Sequence, residues 1–442
     1  MNFNLFTKIF PFQVFFGMVA CLSPLVFLFL TFWVSVPYED DLAMLPILNA
    51  SWNDPFWWQS HNEHYLLVHK FFIKLFYILF QSNYIKWGLL YNLSCFFFFF
   101  GYLFHKTFQY SLLHFFITLA LISAPSMYEN VNWLLCSSQH LIIFVFLIGC
   151  IYFLTRNNLH TKNWDVFWGI VCFLLTVFSS GNGILTFLIV SVLLAYRRQF
   201  YLMGMIAGLF ILINLYFPKS AHVQFLNPLT CMKQFSYLIS SPYGFLTNPK
   251  LLWGIKILFL WLECRFVYQI VRRLTRRETF SSMEYIWYSL HFFALGNLIF
   301  MAAFRIISPL DIPDRYRIYI LFVWLTLWYF HFGNVSRKAI LVPALVIVMG
   351  MNWLELDHVK IRAFTMFQEK KLLVINATQN HSVSDSYYRG YFSTLVLAQH
   401  RRVPFTDCYE LNQLKTKWVI PYFPFSMKTF YLKREERRFF YE

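Results

Sequence analysis

Charge is what this chain has least of. Asp, Glu, Lys and Arg make up 13% of its 442 residues, against 58% hydrophobic residues. A soluble globular protein of this length needs far more polar surface to cover its core, so that class is excluded. The eight cysteines contain no Cys-x-x-Cys and no Cys/His spacing of the metal-site kind, which removes a zinc or dithiol framework. Most of them fall in apolar runs, where a thiol behaves as a small hydrophobe. Cys136, Cys231 and Cys408 fall in expected loops or the tail. No small-residue cleavage site follows the first apolar run, which is too long for a signal-peptide core, so it reads as a retained helix. No internal repeat is visible, which argues against a transporter built of two related halves.

What remains is apolar and aromatic. Phe, Trp and Tyr are 22% of residues, with 55 Phe and 15 Trp, and the mean hydropathy is +0.51. The expected fold is an all-α polytopic membrane protein. Apolar runs at 12–36, 86–104, 111–125, 139–155, 164–180, 183–197, 201–217, 251–271, 283–305, 317–332 and 339–354 give about eleven transmembrane helices, most of them near the ~20 residues a crossing needs. The stretch 64–80 carries His69, Lys70 and Lys74 among apolar residues and reads as an amphipathic helix at the interface. Residues 1–354 form the membrane domain. Residues 355–442 lose the long apolar runs and read as a small extracytoplasmic α/β domain, with strands at 371–377 and 418–421 and a helix at 384–399.

The formal net charge of +16 is not a nucleic-acid footprint. With the N-terminus in the cytoplasm, the compact basic loops at 105–106, 156–162, 197–198, 272–277 and 337–338 all fall on one side, as the positive-inside rule requires. The opposite side receives Glu39-Asp40-Asp41, His61-Asn62-Glu63-His64, Glu129-Asn130, Gly181-Asn182-Gly183 and Asp314-Arg315-Tyr316-Arg317. The positive-inside rule does not demand that second convergence.

Each cluster has a chemistry and a plain alternative. Crowded carboxylates at a membrane boundary suit a general base or a divalent cation, or they are solvated loop. His61, Glu63 and His64 form a polar wall, or Asn62 and Glu63 open a helix. Glu129 orients a hydroxyl, while Trp133 stacks on a sugar or anchors at the interface. The Gly181-Asn182-Gly183 segment is best read as a turn. Arg315 and Arg317 suit a phosphate, or they pair with Asp311 or Asp314. Glu263 and Arg265 read as a snorkelling pair near a helix end.

The order of these elements resembles the GT-C glycosyltransferase superfamily, in particular bacterial enzymes that use polyprenyl-phosphate sugars. The resemblance covers the span, acidic cluster, His-Asn-Glu-His, Glu-Asn-x-x-Trp, Ser-x-Asn-Gly and Arg-Tyr order within residues 12–335. It implies an inverting transferase in the bacterial inner membrane with its site facing the periplasm. The donor would be a polyprenyl-phosphate-linked sugar. The acceptor would be a surface glycan or lipid, in the setting of lipopolysaccharide or O-antigen. It places the base among Asp40, Asp41 and Glu39, and cations for the leaving phosphate at Arg315, Arg317, Lys70 or Lys74. The sequence fixes no cofactor, and the carboxylates and histidines offer ligands to a divalent metal. The chain departs from many relatives at Tyr65, where they carry Arg. The rival readings are an O-antigen polymerase or ligase, and a lipid or polysaccharide transporter. The transporter would show charges deep within its spans and helices broken at mid-membrane.

Overall fold

The computed structural model describes residues 6–32, 41, 44, 46–59, 66–108, 111–156, 163–179, 183–216, 226–240, 242–243, 248–304, 314–333 and 335–379. Among the described residues the chain is helical and has no strand. The first half comprises α1 (Phe6–Phe32), the short α2 (Pro46–Asn49), α3 (Leu67–Phe80), α4 (Tyr84–Phe108), α5 (Leu112–Ile122), α6 (Tyr128–Asn132) and α7 (Leu134–Thr155). The second half comprises α8 (Asn163–Val177), α9 (Gly183–Tyr196), α10 (Phe200–Tyr216), α11 (Pro228–Ser240), α12 (Pro249–Thr275), α13 (Ser282–Phe304), α14 (Asp314–Phe332) and α15 (Lys338–Gln379).

Local sequence accounts for the boundaries. Asn248 caps α12 by accepting from the backbone N–H of Lys250 and Leu251, Pro249 occupies the first helical position, and Arg272 and Arg273 lie in the last turn; each fits the dipole and hydrogen-bond needs of its end. The break between α5 and α6 follows from Pro125. The residue before a proline is driven out of the helical region, and Ala124 sits at φ −55°, ψ 142°. The two helices meet there at a 50° bend.

The helices pack around two cores. The larger is a membrane-type bundle built from α1 and α4–α14. At its centre Phe144 stacks on Phe322 at 4.1 Å between ring centroids and meets Phe293 edge-on. The smaller core forms a cap. It joins Met44, Ile47, Leu48 and Trp57 of the first loop to α3, to the starts of α4 and α7, and to Leu356, Val359, Ala363 and Met366 of α15. Helix α15 belongs to both regions. It packs on α1 and α5 in the bundle and continues into the cap, as one helix of 42 residues and about 63 Å.

Four helical segments are long and apolar enough to cross a membrane: Tyr84–Thr107, Leu134–Thr155, Ser282–Phe304 and Lys338–Lys360. The bent α5–α6 pair makes a fifth if it counts as one span. Among the described residues each of the eleven apolar runs falls largely within a helix, but the expectation of eleven full crossings is not met. The helices α8, α9 and α10 are shorter, with 15, 14 and 17 residues, and α12 carries Lys250, Lys256, Glu263, Arg265, Arg272 and Arg273. The C-terminal α/β expectation is also corrected. Residues 371–377, expected as a strand, continue α15, because no Gly or Pro lies between Met351 and Gln379 to break a helix that has already begun. The remaining tail elements lie outside the described residues.

Helix α3 reverses the interfacial expectation. Its His69 and Lys70 are buried, while Phe71, Ile78 and Leu79 are exposed. The polar side faces the protein and much of the apolar side faces out.

Helices α7 and α8 approach closely at a glycine. A Cβ at Gly169 would stand 2.5 Å from Leu154 Cδ2 and 2.8 Å from its Cγ. Gly169→Leu forces the two helices apart. Overpacking of this kind costs about 1–3 kcal/mol, so the purified variant should melt measurably below the unaltered protein, whereas Gly204→Leu, where nothing lies within 4 Å, should not.

Candidate functional site

The sequence clusters meet around the start of α7. Asp41 is buried at 5% exposure, and its Oδ1 accepts from the Leu135 backbone N–H at 2.8 Å. Leu135 is in the first turn of α7, whose flanking residue Trp133 supplies no side-chain cap. A carboxylate from the first loop therefore serves an N–H stranded by the α6–α7 break.

Six residues before Leu135, Glu129 takes up Arg315. Glu129 Oε2 accepts from the Arg315 backbone N–H at 3.1 Å and from its guanidinium at 3.4 Å. Asn130 donates from Nδ2 to the Arg315 carbonyl at 3.2 Å, and accepts the Cys136 thiol at 3.3 Å. The guanidinium lies 5.1 Å above the Trp133 ring and 5.2 Å from that of Tyr316, an arrangement that fixes its plane. Burial penalises the Arg315 charge, and the Glu129 carboxylate more than compensates, so the guanidinium is held above its ordinary range. Trp133 is buried and packs under a cation, which is neither of the roles expected of it.

Deeper along α7 the helix widens to a π turn over Ser138–Ile142. Such turns re-aim side chains. Here Ser138 accepts from Asn92 at 2.8 Å, and His140 Nδ1 meets Tyr319 Oη at 2.9 Å. This polar layer on α4, α7 and α14 was not singled out from sequence. The only signal was a run of Ser and His inside an apolar segment. Arg317 is buried at the start of α14.

Lys70 has a different occupation. Its ammonium donates to the carbonyls of Phe56 (2.6 Å), Trp57 (3.4 Å) and Gln59 (2.6 Å). All three hydrogens have acceptors on the first loop, and Phe56 presents its ring at 4.6 Å. Lys74 does the same for Leu48 and Ala50 at 2.6 and 3.1 Å. The geometry makes both residues fasteners of the first loop and leaves Lys70 without a hydrogen to offer a phosphate. His69 contacts the Ser179 carbonyl at 2.5 Å, which brings α3 to the end of α8. Glu39, Asp40, His61, Glu63, His64 and the Gly181-Asn182 pair lie outside the described residues, as do Arg305 and Asp311.

Among the described residues no group of His, Cys, Asp and Glu has the arrangement of a metal site. Cys136 and Cys231 form no disulfide among the described residues, and Cys231 points to the Leu226 carbonyl. Glu263 does not pair with Arg265: it faces His291, while Arg265 lies over Trp261.

Two outcomes follow. Asp41→Ala strands the Leu135 N–H and should cost about 1–2 kcal/mol, whereas Asp41→Asn keeps an acceptor and should lose less; thermal unfolding of the two variants compares them. For Lys70, burial pushes the ammonium down to about 8 from an ordinary 10.5, against the pull of its carbonyl acceptors. Between those values the unfolded chain binds more proton than the folded one, so this group makes stability rise with pH across that window and contributes no slope below it. Lys70→Met should flatten the unfolding midpoint between pH 8 and 10.5.

No family model matches this chain, and no curated protein and no solved structure matches it either. Among the described residues the fold is helical, and its apolar helices fit an all-α membrane protein.

Proposed function

We propose that the protein is an inverting GT-C-type glycosyltransferase of the bacterial inner membrane. It would transfer a sugar from a polyprenyl-phosphate donor to a glycan or lipid acceptor on the extracytoplasmic side. One observation carries the reading: Asp41, Glu129 and Arg315, from three distant parts of the chain, meet around residues 133–136. Carboxylates and a fixed guanidinium at one end of an apolar bundle suit a reaction in which a hydroxyl loses a proton and a phosphate gains charge.

The acceptor oxygen attacks the anomeric carbon while its proton passes to a carboxylate. The bond from that carbon to the phosphate oxygen breaks, and the polyprenyl phosphate leaves with the electron pair. Arg315 and Arg317 are the cations assigned to it. Asp41 is committed to the Leu135 N–H, so the base falls to Asp40, with Glu39 next. The isoprenoid stays in lipid while the sugar reaches water, which accounts for a site at the end of the helices. A divalent metal is not part of the scheme.

The transporter reading keeps one foothold. The 50° break at residues 123–124 and the Glu263–His291 pair inside the bundle are features a translocation pathway uses.

The deciding assay is transfer from radiolabelled polyprenyl-phosphate hexoses in purified membranes. Asp40→Asn should abolish transfer at unchanged expression and melting temperature, while Asp41→Asn should lower both activity and stability. Full transfer by Asp40→Asn and Glu39→Gln would remove the acidic mechanism. No transfer by the unaltered protein, together with movement of labelled polyprenyl lipid across reconstituted vesicles, would select the transporter.

A further inference from the structure

At the end of the bundle away from the cap, α9 and α12 finish side by side. Tyr196 Oη, in the last turn of α9, donates to the Glu278 carbonyl just beyond α12 at 3.1 Å. The Tyr196 ring lies 5.6 Å from that of Phe280. The end of α7 joins them: Ser282 Oγ donates to the Thr155 carbonyl at 2.9 Å, and Arg197 donates to the Leu154 carbonyl. The groups of the proposed reaction gather at the opposite end of α7 and use none of these residues.

Both helices stop in the same way. The Arg198 N–H donates to the Ala195 carbonyl at 3.0 Å, and the Gln199 N–H to that of Leu194 at 2.8 Å. At α12 the Arg277 N–H donates to the Leu274 carbonyl at 3.1 Å, and the Glu278 N–H to that of Arg273 at 3.0 Å. This paired closure takes one residue through the left-handed region, where glycine is the usual occupant. Here that residue is arginine both times, at φ 58° and 55°. Among the described residues only Gln81 is a further non-glycine residue with positive φ. An L side chain there crowds its own carbonyl. The backbone gains nothing from arginine at either position, and glycine would relax both.

Two ordinary employments for these arginines are already filled. Both carboxylates of this corner, Glu278 and Glu284, are bound by Arg273. The carbonyl end of the α12 dipole is met by Arg272 and Arg273 in the last turn. Arg198, Arg276 and Arg277 are exposed, and none of them forms an ion pair among the described residues. Beside them the helices turn Val192, Tyr201, Tyr268 and Val271 outward. Guanidinium forks next to exposed apolar surface suit a phosphate that carries acyl chains. We propose that the joined ends of α9 and α12 dock the headgroup of an anionic phospholipid, with Arg198 and Arg277 as its principal donors. The left-handed backbone carries arginine because the side chain is used. This site is independent of glycosyl transfer.

The test counts lipids bound to the full-length protein in detergent by native mass spectrometry. The probes are phosphatidylglycerol and phosphatidylcholine with identical chains. The unaltered protein should retain phosphatidylglycerol in preference. The paired variant Arg198→Gly, Arg277→Gly should weaken that binding about 25-fold, at roughly fivefold per arginine. It should melt no lower than the unaltered protein, since glycine fits both closures. The paired variant Arg337→Gln, Lys338→Gln removes an equal charge at the α14–α15 turn, and should change the binding far less. Equal retention of the two lipids, equal loss in the two paired variants, a lower melting temperature for the glycine pair, or displacement of phosphatidylglycerol by an equal concentration of inorganic phosphate would each overturn the proposal.

Discussion

Inside an apolar bundle, a backbone N–H or C=O that leaves helical geometry has no water to turn to. Most of the conspicuous polar side chains here answer that constraint. Asp41 meets the N–H of Leu135 where α6 gives way to α7. Lys70 and Lys74 gather carbonyls of the first loop. Ser123 closes the break in α5 by donating to the Leu119 and Cys21 carbonyls. Asn352 reaches from α15 to the Ala120 carbonyl. Without these contacts the broken elements would carry several unpaired groups, each costing about 1–3 kcal/mol. The cap exists because side chains from one element complete the backbone of another.

This bears on how the site is read. A carboxylate or an ammonium that serves the backbone is held rigidly and is spent. Glu129 holds the Arg315 backbone and side chain through Oε2. Arg315 lies between two aromatic rings with side-chain exposure of 27%, so part of its fork still faces outward. The division between residues that build the framework and residues that remain available runs through a single cluster.

Helix positions were largely legible in the sequence, because long apolar runs in a chain this poor in charge have few alternatives. The number of full crossings was not, since α8, α9 and α10 are apolar yet short, and α12 is long yet charged. Hydropathy ranks composition and is blind to packing. The convergence of Glu129 with Arg315 was legible as a shared side of the membrane, and Asp41 joined it. The use of Lys70 was not legible: a lysine on an apolar helix reads as an interface residue, and only the carbonyls of residues 56–59, far from any pattern, turn it inward. The meeting of Glu263, His291 and Thr326 depends on three helices, and no spacing within any one of them encodes it.

The unbroken run of α15 from the bundle into the cap has a geometric consequence. A helix turns by about 100° per residue, and side chains on both halves of α15 are committed: Leu341 and Asn352 below, Leu356, Val359 and Ala363 above. The two cores are therefore phase-locked through one rod. A single residue gained or lost between positions 352 and 356 would swing the upper contacts round by more than a quarter of a turn. The longest helix can change length only in steps that restore the angle.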